Sequence, residues 1–265
     1  MCLLIFAWKT AEQNYPLIVA ANRDERYDRP SVPFTVLQAE GPRLLGGRDE
    51  EAGGSWLVVN EYGVVAGLTN AHSANGPNPI KLSRGSLPIL LAQSKTAREG
   101  ADEFIRTVDA DRYNPACLFV GDRDSLFYLD LSSAHSLTAL ELEPGVHILE
   151  NIPLDVESSK VKFVEALIEE RTVNGTSLWD VAPGILASHA TVSPRPNEPP
   201  GPRGALRTSA TLTPCVHTER YGTRSASIIR VNADPSGQPD IKIADGAPCT
   251  HPFVDVTSNW FDGAH

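Results

Sequence analysis

Short apolar runs separated by polar connections recur along the chain, and this pattern predicts an α+β protein. The runs predict strands over Leu3 to Trp8, Leu17 to Ala21, Ser55 to Asn60, Val64 to Asn70, Cys117 to Val120, Leu126 to Leu131, Tyr221 to Val231 and Asp240 to Ala244. The first two runs are apolar at successive positions rather than at alternate ones. That is typical of strands covered on both faces.

Helical patterns occur between these groups of strands, over Leu87 to Val108, Ser158 to Arg171 and Leu178 to Ala187. The helical pattern of Leu87 to Val108 contains Gly100 and can be two helices. Ser158 or Ser159 can cap the second helix. Pro183-Gly184 interrupts the third. The Pro- and Gly-rich stretch Ser193 to Gly204 predicts an exposed loop. Because the segment after it is too short to bury its own core, we expect one layered α+β domain over residues 1–265.

Composition and charge narrow the expected partners. The chain has 265 residues, 41% of them hydrophobic, and a formal net charge of -10. An acidic surface repels phosphate backbones and anionic membranes, so we expect no nucleic-acid partner. No apolar run approaches the length of a transmembrane segment, and no basic segment precedes Leu3 to Trp8 as in a signal peptide. We therefore expect a cytoplasmic protein.

Cysteine usage predicts no metal site. The four cysteines, Cys2, Cys117, Cys215 and Cys249, are widely separated, and none forms a Cys-x-x-Cys pair. Cys215-Val216-His217 has too few ligands nearby in the sequence for a zinc site.

Position 2 offers a candidate for covalent chemistry. Cysteine is small enough for methionine aminopeptidase to remove Met1, which leaves Cys2 with a thiol and a free α-amine. The reference pKa values of these groups lie near ~8.5 and about 7.7–8.0, so the amine can accept the thiol proton at neutral pH. Nucleophile and base then share one residue. Taken alone, a cysteine at this position is more often accidental than functional.

The polar segment that follows the second strand supplies partners for Cys2. If the hairpin loop has its tip near Glu12 and Gln13, paired positions sum to about 25, and residue 2 lies opposite Arg23 with Cβ atoms roughly 5 Å apart. An arginine there favours the thiolate, and Asp24 can hold the α-amine. The same segment is also consistent with the solvated exit of a strand.

Glycines and polar residues at strand ends complete the candidates. Gly46-Gly47 and Gly53-Gly54 permit close backbone approach, which fits a pocket wall or a tight surface loop. Asn70 (or Thr69) and Asn151 can direct an amide at a developing oxyanion, although asparagine is also a common turn residue. Arg224 can bind a carboxylate or hold the nucleophile, or it can lie exposed on the surface.

Together these motifs resemble the NRDE family, which is named for Asn22-Arg23-Asp24-Glu25 and includes the transport and Golgi organisation proteins. The likeness runs over nearly the whole chain and includes Met1-Cys2, Gly46 to Asp49, Gly54 to Trp56, Gly67 to Asn70, Leu149 to Asn151 and Tyr221 to Ser225. Two features depart from the family pattern. Glu150 stands where a smaller residue is expected, and 193–204 resembles an insertion.

The resemblance implies an N-terminal-nucleophile hydrolase fold, a four-layer αββα sandwich with two antiparallel sheets between helix layers. More remotely, the chain is similar to bile-salt hydrolases and penicillin V acylases, in which a leading cysteine attacks a non-peptide amide. By motif, the catalytic roles fall to Cys2, Arg23, Asp24, Asn70, Asn151 and Arg224. We assign Asn22, Trp56 and Thr69 to substrate binding, and we expect no cofactor.

Two functions compete on this basis. One is a cysteine amidohydrolase that cleaves a small-molecule amide. The other is a haem or lipid handling protein that uses the same pocket without turnover, since eukaryotic members of the family are linked to secretory-pathway organisation, lipid homeostasis and haem transfer. Haem would then be cargo. A scaffold built on a hydrolase fold is a third possibility, because a fold alone does not determine function.

Overall fold

The computed structural model describes residues 2–10, 12–73, 76–132, 137–173, 175–201 and 207–261. Its strands are β1 (Leu3–Trp8), β2 (Leu17–Arg26), β3 (Ser31–Gln38), β4 (Leu44–Asp49), β5 (Leu57–Asn60), β6 (Val65–Asn70), β7 (Ala116–Gly121), β8 (Leu126–Asp130), β9 (Ala139–Glu141), β10 (Gly145–Leu149), β11 (Tyr221–Val231), β12 (Asp240–Ala244) and β13 (Val254–Asp255). They form one sheet in the order β10-β1-β2-β11-β12-β13 and a second in the order β3-β4-β5-β6-β7-β8-β9. Neighbouring strands pair antiparallel in both sheets.

The helices cover the outer faces of the two sheets. They are α1 (Ser86–Leu91), α2 (Ala97–Thr107), α3 (Ser159–Thr172), α4 (Leu178–Leu186) and α5 (Ser209–Leu212). The side chain of Ser158 caps α3 by accepting hydrogen bonds from the main-chain nitrogens of Lys160 and Val161. The sequence predicts this cap, because serine satisfies amide groups that have no partner in the first turn.

Three apolar clusters hold four layers together. The central cluster lies between the sheets and includes Leu4, Phe6 and Trp8 of β1, whereas Leu3 and Ile5 pack against α3 and α4 on the opposite face. The third cluster joins α1 and α2 to the other sheet. Both faces of β1 are therefore buried, which accounts for its unbroken apolar sequence. The αββα sandwich expected from the sequence is confirmed.

The pairing of β1 with β2 determines which residues meet at the end of the sheet. Leu3 pairs with Asn22 and Trp8 with Leu17, so the residue numbers of each pair sum to 25, as the hairpin predicts. On the other side of β2, β11 pairs antiparallel, with a β-bulge at Arg224. The segment that gives the family its name thus lies inside a paired strand and is not a solvated strand exit.

Several sequence predictions are corrected by the structure. Strands β3, β4, β9, β10 and β13 are not predicted from the apolar pattern. The gap between α1 and α2 falls at 92–96, and Gly100 lies inside α2, where an added Cβ would stand 2.4 Å from the main-chain oxygen of Leu91. Helix α4 continues through Pro183-Gly184. The stretch 193–201 has no helix or strand and is mostly exposed, as predicted, although the Glu198 side chain is only 5% exposed; 202–204 lie outside the described residues.

The expectation of no metal site stays a prediction, but its argument that Cys215-Val216-His217 has too few ligands nearby applies only to the sequence. The fold brings His189 and Cys249 to Cys215 and His217, with one ligand atom of each residue within 4.8 Å of those of the others. The cluster cannot be recognised in the sequence, because its members come from three distant segments of the chain.

None of the helices in the described part of the chain has both the length and the apolar character that a membrane span requires. The longest of them, α3, has 14 residues. The predictions about localisation and domain number stay predictions.

Candidate functional site

A cavity of about 840 Å³ opens where β1 begins and β2 ends. This volume lies in the range of small-molecule sites. Cys2, Arg23, Asp24, Trp56 and Asn70 all line the cavity. The structure therefore brings together five of the residues that the sequence singles out.

Cys2 is held at the cavity by its main chain. Since β1 begins at Leu3, the nitrogen of Cys2 lies just beyond the strand, and it donates a hydrogen bond of 2.9 Å to Oδ1 of Asn151. Asn151 follows β10, the other neighbour of β1, and its Nδ2 donates to the main-chain oxygen of Asn70 at 2.7 Å. Asn151 is buried and does not line the cavity. Its geometry therefore fits orienting the Cys2 nitrogen better than binding an oxyanion.

Asn70 is the better placed amide for an oxyanion. It ends β6 and lines the cavity. Its side chain makes no hydrogen bond to another described residue, which leaves the amide to a ligand in the cavity.

The thiol of Cys2 is not a preformed thiolate. Burial of the thiol is the largest influence and raises its pKa, and the carboxylate of Asp24 acts in the same direction. The positive charge of the N-terminus, the main-chain N–H of Asp24 and the guanidinium of Arg23 lower the pKa, in that order, but do not compensate. A sulfur in this environment needs a base to become nucleophilic.

Arg23 lies on the cavity side of β2, with its guanidinium fixed by three neighbours. Nη1 donates to Oγ of Ser31 at 3.1 Å, and Nη2 is 3.6 Å from Oδ2 of Asp49. The guanidinium carbon lies 4.3 Å from the ring centre of Trp56, which is a cation–π contact. Burial lowers the pKa of Arg23, and the charges of Cys2 and Asp49 oppose that shift.

Glycines let the cavity wall pack this closely. A Cβ at Gly47 would stand 2.0 Å from Cζ2 of Trp56, so only glycine leaves room for the indole. Gly54 has a φ of +86°, and a Cβ there would stand 2.4 Å from the main chain of Gly85. Of the two interpretations left open by the sequence, the structure favours the pocket wall.

Asp24 points to the opposite side of β2, toward α3. Its Oδ1 accepts a 2.6 Å hydrogen bond from Oγ1 of Thr223, and its Oδ2 is 3.7 Å from Nζ of Lys160. Both members of this charged pair are fully buried. Burial raises the pKa of Asp24, and the ammonium of Lys160 opposes the shift.

Sequence reasoning missed Lys160. The signal is its spacing, because Lys160, Val164 and Ile168 recur every four residues and share the buried face of α3. A lysine on such a face needs a buried anion. Lys162, by contrast, is 61% exposed and pairs with Glu157, as expected of a surface charge.

Glu150, which departs from the family pattern, is buried with a cation. Its Oε1 accepts a 2.6 Å hydrogen bond from Nη1 of Arg207 and another from Oγ of Ser158. Arg207 also lines the cavity. The segment after the insertion-like stretch thus returns an arginine to the site, which no local pattern predicts.

Besides Asn151, three of the predicted site residues do not line the cavity. Alternation along the strands turns Asn22 and Thr69 elsewhere. Asn22 faces the helix layer, where its Nδ2 donates to the main-chain oxygens of Leu186 and Pro214, each at 2.9 Å. Thr69 is fully buried and donates to the main-chain oxygen of Glu150 at 2.6 Å. We correct both assignments, since neither side chain is placed to contact a substrate.

Arg224 is the third. The bulge in β11 directs its Nη1 to the main-chain oxygens of Arg26, at 3.3 Å, and of Tyr27. These contacts hold the turn after β2. They do not place the guanidinium on the nucleophile.

The cavity is richer in positive than in negative side chains, although the whole chain carries a net charge of -10. Six basic residues line it, against four acidic ones, of which Asp24 has its carboxylate turned toward Lys160. The basic residues are Arg23, Arg26, Arg29, Lys81, Arg84 and Arg207, and the acidic ones are Asp24, Glu25, Asp49 and Glu51. A local excess of positive charge favours ligands with an anionic group.

Solved structures with the same fold include amidases. An ortholog of N-acylethanolamine-hydrolyzing acid amidase from Caenorhabditis elegans aligns with a TM-score of 0.54 and 13% identity, covering 89% of this chain and 94% of that one. The C2A mutant of conjugated bile acid hydrolase from Clostridium perfringens aligns with a TM-score of 0.53 and 11% identity, covering 100% and 95%. At these identities the likeness shows the fold alone.

Sequence comparison identifies the family. Residues 1–238 match the family described as Transport and Golgi organisation 2. Similar proteins include the Transport and Golgi organization protein 2 homologs of Bos taurus, 28% identical over 253 residues, and of Homo sapiens, 28% identical over 262 residues. In both comparisons 88% of this chain and 90% of the relative are covered. The chain therefore belongs to the Transport and Golgi organisation 2 family and has the fold of the N-terminal-nucleophile hydrolases.

Proposed function

We propose that this protein is a cysteine amidohydrolase that cleaves small, non-peptide amides bearing an anionic group. One observation carries the proposal. The main-chain nitrogen of Cys2 is held at 2.9 Å by Oδ1 of Asn151, and Cys2 lines the cavity. Removal of Met1 turns this nitrogen into an α-amine beside a thiol whose raised pKa makes a base necessary.

The reaction then follows from the residues present. The α-amine takes the thiol proton, and the sulfur attacks the amide carbon to give a tetrahedral oxyanion, to which Nδ2 of Asn70 donates. The oxyanion collapses, the C–N bond breaks, and the proton passes from the α-amine to the leaving nitrogen. Water, deprotonated by the same amine, attacks the thioester and releases the acid and the free thiol. Arg23 favours the thiolate by its charge, and Asn151 orients the amine.

A matched pair of proteins tests the mechanism. The chain is made with an N-terminal extension that a protease removes to leave Cys2 first, and cut and uncut samples are assayed side by side. The substrates are conjugated bile acids and N-acyl amino acids, which carry an anionic group, and N-acylethanolamines, which lack one and serve as the neutral comparison. We expect hydrolysis by the cut protein and at least ~100-fold slower hydrolysis by the uncut protein, since it lacks the base. Equal turnover by both samples contradicts the mechanism.

Cys2→Ala in the cut background is the second arm, and it should abolish turnover. Cys117→Ser is the matched control, since Cys117 is buried in the core and does not line the cavity. Loss of turnover in the control with full turnover in Cys2→Ala would refute the assignment of the nucleophile.

The size and the apolar part of the cavity favour a second candidate, the binding of haem or a lipid without turnover. Leu68, Ala71, Leu82 and Pro115 line the cavity together with Trp56. No histidine occurs among the described residues that line it, so the side chains available to a haem iron are those of Cys2 and Tyr221. A Soret shift on haem titration that persists in the uncut protein and disappears in Cys2→Ala supports this candidate. No shift and no binding of a fluorescent fatty acid would exclude it.

A further inference from the structure

A second cluster of reactive side chains lies away from the cavity, behind β11. Its members are His189, Cys215, His217 and Cys249. None of the four lines the cavity, and the mechanism above uses none of them. Two thiols and two imidazoles are the ligand set of a structural zinc site.

The distances between these atoms match the edges of a tetrahedron around zinc. Zn–S and Zn–N bonds of about 2.3 and 2.0–2.1 Å imply edges of roughly 3.8 Å between two sulfurs and roughly 3.6 Å between sulfur and nitrogen. The Sγ atoms of Cys215 and Cys249 are 3.7 Å apart. Nε2 of His217 is 3.5 Å from Sγ of Cys215 and 3.2 Å from Sγ of Cys249. Small adjustments would therefore place all three atoms at bonding distance from one ion.

His189 completes the set. Its ring centre lies 5.0 Å from that of His217, and Nδ1 is 3.2 Å from the main-chain oxygen of Cys215. A hydrogen bond from Nδ1–H to this carbonyl leaves the lone pair on Nε2. Donation of the distal ring N–H to a carbonyl oxygen is a usual way in which a zinc-bound histidine is oriented.

We propose that His189, Cys215, His217 and Cys249 bind one zinc ion. Cys215 is buried while both histidines are exposed, which gives an anchored sulfur and a path for the ion from solvent. The ligands come from the segment after α4, the segment before β11 and the turn after β12. The ion would tie these three segments together in place of apolar packing.

The proposed ion is connected to the candidate active site through Val216. This residue lies between two of the ligands, and its N–H donates to Oγ1 of Thr223 at 2.9 Å. Oγ1 of Thr223 in turn donates to Oδ1 of Asp24 at 2.6 Å. Fixing residues 215 and 217 therefore fixes the group that holds Asp24, so the ion would act as a support for the site without contacting substrate.

A disulfide between Cys215 and Cys249 is the competing interpretation. A bond of about 2.05 Å between the sulfurs would have to form, but it gives no role to the two imidazoles that converge on them. Zinc uses all four groups.

The test measures metal in untagged full-length protein that has been incubated with zinc sulfate and dialysed. We expect about one zinc per chain by plasma mass spectrometry, and almost none in the Cys215→Ser/Cys249→Ser variant. Cys2→Ala is the matched control and should retain the metal. Cobalt(II) in place of zinc should give the visible bands of tetrahedral coordination and a near-ultraviolet thiolate-to-cobalt band, a readout on the unaltered chain that no folding defect can mimic.

Stability supplies an independent measurement. A chelator should lower the melting temperature of the unaltered protein by at least about 5 °C and leave that of the double variant unchanged. Absence of cobalt bands in the unaltered protein, equal zinc content in the double variant, or a Cys215–Cys249 disulfide in the non-reduced peptide map would each overturn the proposal.

Discussion

Replacing Lys160 by methionine removes the buried cation next to Asp24 and preserves most of the volume of the side chain. The two charges are 3.7 Å apart and fully buried, so their attraction at an effective dielectric constant of ~20 is about 4 kcal/mol. Breaking such a pair by removing one partner costs about 3–5 kcal/mol, because the other charge stays in the interior. We therefore expect Lys160→Met to lower the free energy of unfolding by about 3–4 kcal/mol at about pH 8.

The loss of stability in Lys160→Met must depend on pH, and the pKa of Asp24 determines whether it grows or shrinks as the pH rises. Burial already raises the folded-state pKa of Asp24 above its unfolded value, and the substitution raises it further. Between the unfolded-state pKa and the folded-state pKa of Asp24, the folded state binds more protons than the unfolded state, so stability falls as the pH rises. At about pH 5 Asp24 can take up a proton, and the loss in Lys160→Met should be smaller than at about pH 8.

Urea unfolding followed by tryptophan fluorescence measures both values. Lys162→Met is the matched control, since Lys162 lies on the same helix but is exposed, and it should change stability little at either pH. In an Asp24→Asn background, Lys160→Met should cost much less, because no buried negative charge is left behind. The reasoning is refuted if Lys160→Met and Lys162→Met cost the same, or if the cost of Lys160→Met is equal at both pH values.

Three further predictions concern Cys2, Gly47 and Asn22. The rate of Cys2 alkylation by iodoacetamide should rise with pH, with a midpoint above that of a free cysteine, ~8.5. Arg23→Leu should move the midpoint higher, because the cation that favours the thiolate is lost. A midpoint below ~8.5 in the unaltered protein contradicts this prediction. Gly47→Ala should lower the free energy of unfolding by about 1–3 kcal/mol and weaken ligand binding, because the new methyl group overlaps Trp56. If neither unfolding nor ligand binding changes, Trp56 can move to make room for the methyl group, and the prediction is wrong. Asn22→Ala should lower the free energy of unfolding by about 1–3 kcal/mol, because the amide of Asn22 donates hydrogen bonds to two buried carbonyls, and it should leave KM unchanged. A raised KM at unchanged stability would instead show that Asn22 contacts the substrate.

The apolar pattern of the sequence predicts those strands and helices whose residues are buried in a regular order. The strand pair β1 and β2 could be predicted with its register, because both strands are buried on both faces and their loop is short. Strand β4 was missed, since Leu44–Asp49 contains two glycines whose space is taken by Trp56 and Leu57 from the next strand. Nothing in the local sequence shows what fills that space.

Local sequence also identified the centre of the site but not its support. Cys2, Arg23 and Asp24 are close in the fold because one hairpin brings them together. Lys160, Thr223 and Arg207 reach the same region from a helix, a distant strand and a long connection, and only the tertiary packing of the sheets and helices brings them there. The assignments of Asn22 and Thr69 failed for a simpler reason, namely that adjacent residues of a strand face opposite sides.

Trapping of an acyl intermediate tests the central claim most directly. Cut and uncut proteins are incubated with an activated acyl amide, quenched in acid, and analysed by intact-mass and peptide mass spectrometry. The mechanism predicts one acyl group, on the sulfur of Cys2, in the cut protein and none in the uncut protein. An acyl group on another residue, or equal acylation of the two samples, would show that Cys2 and its own nitrogen do not form the catalytic unit.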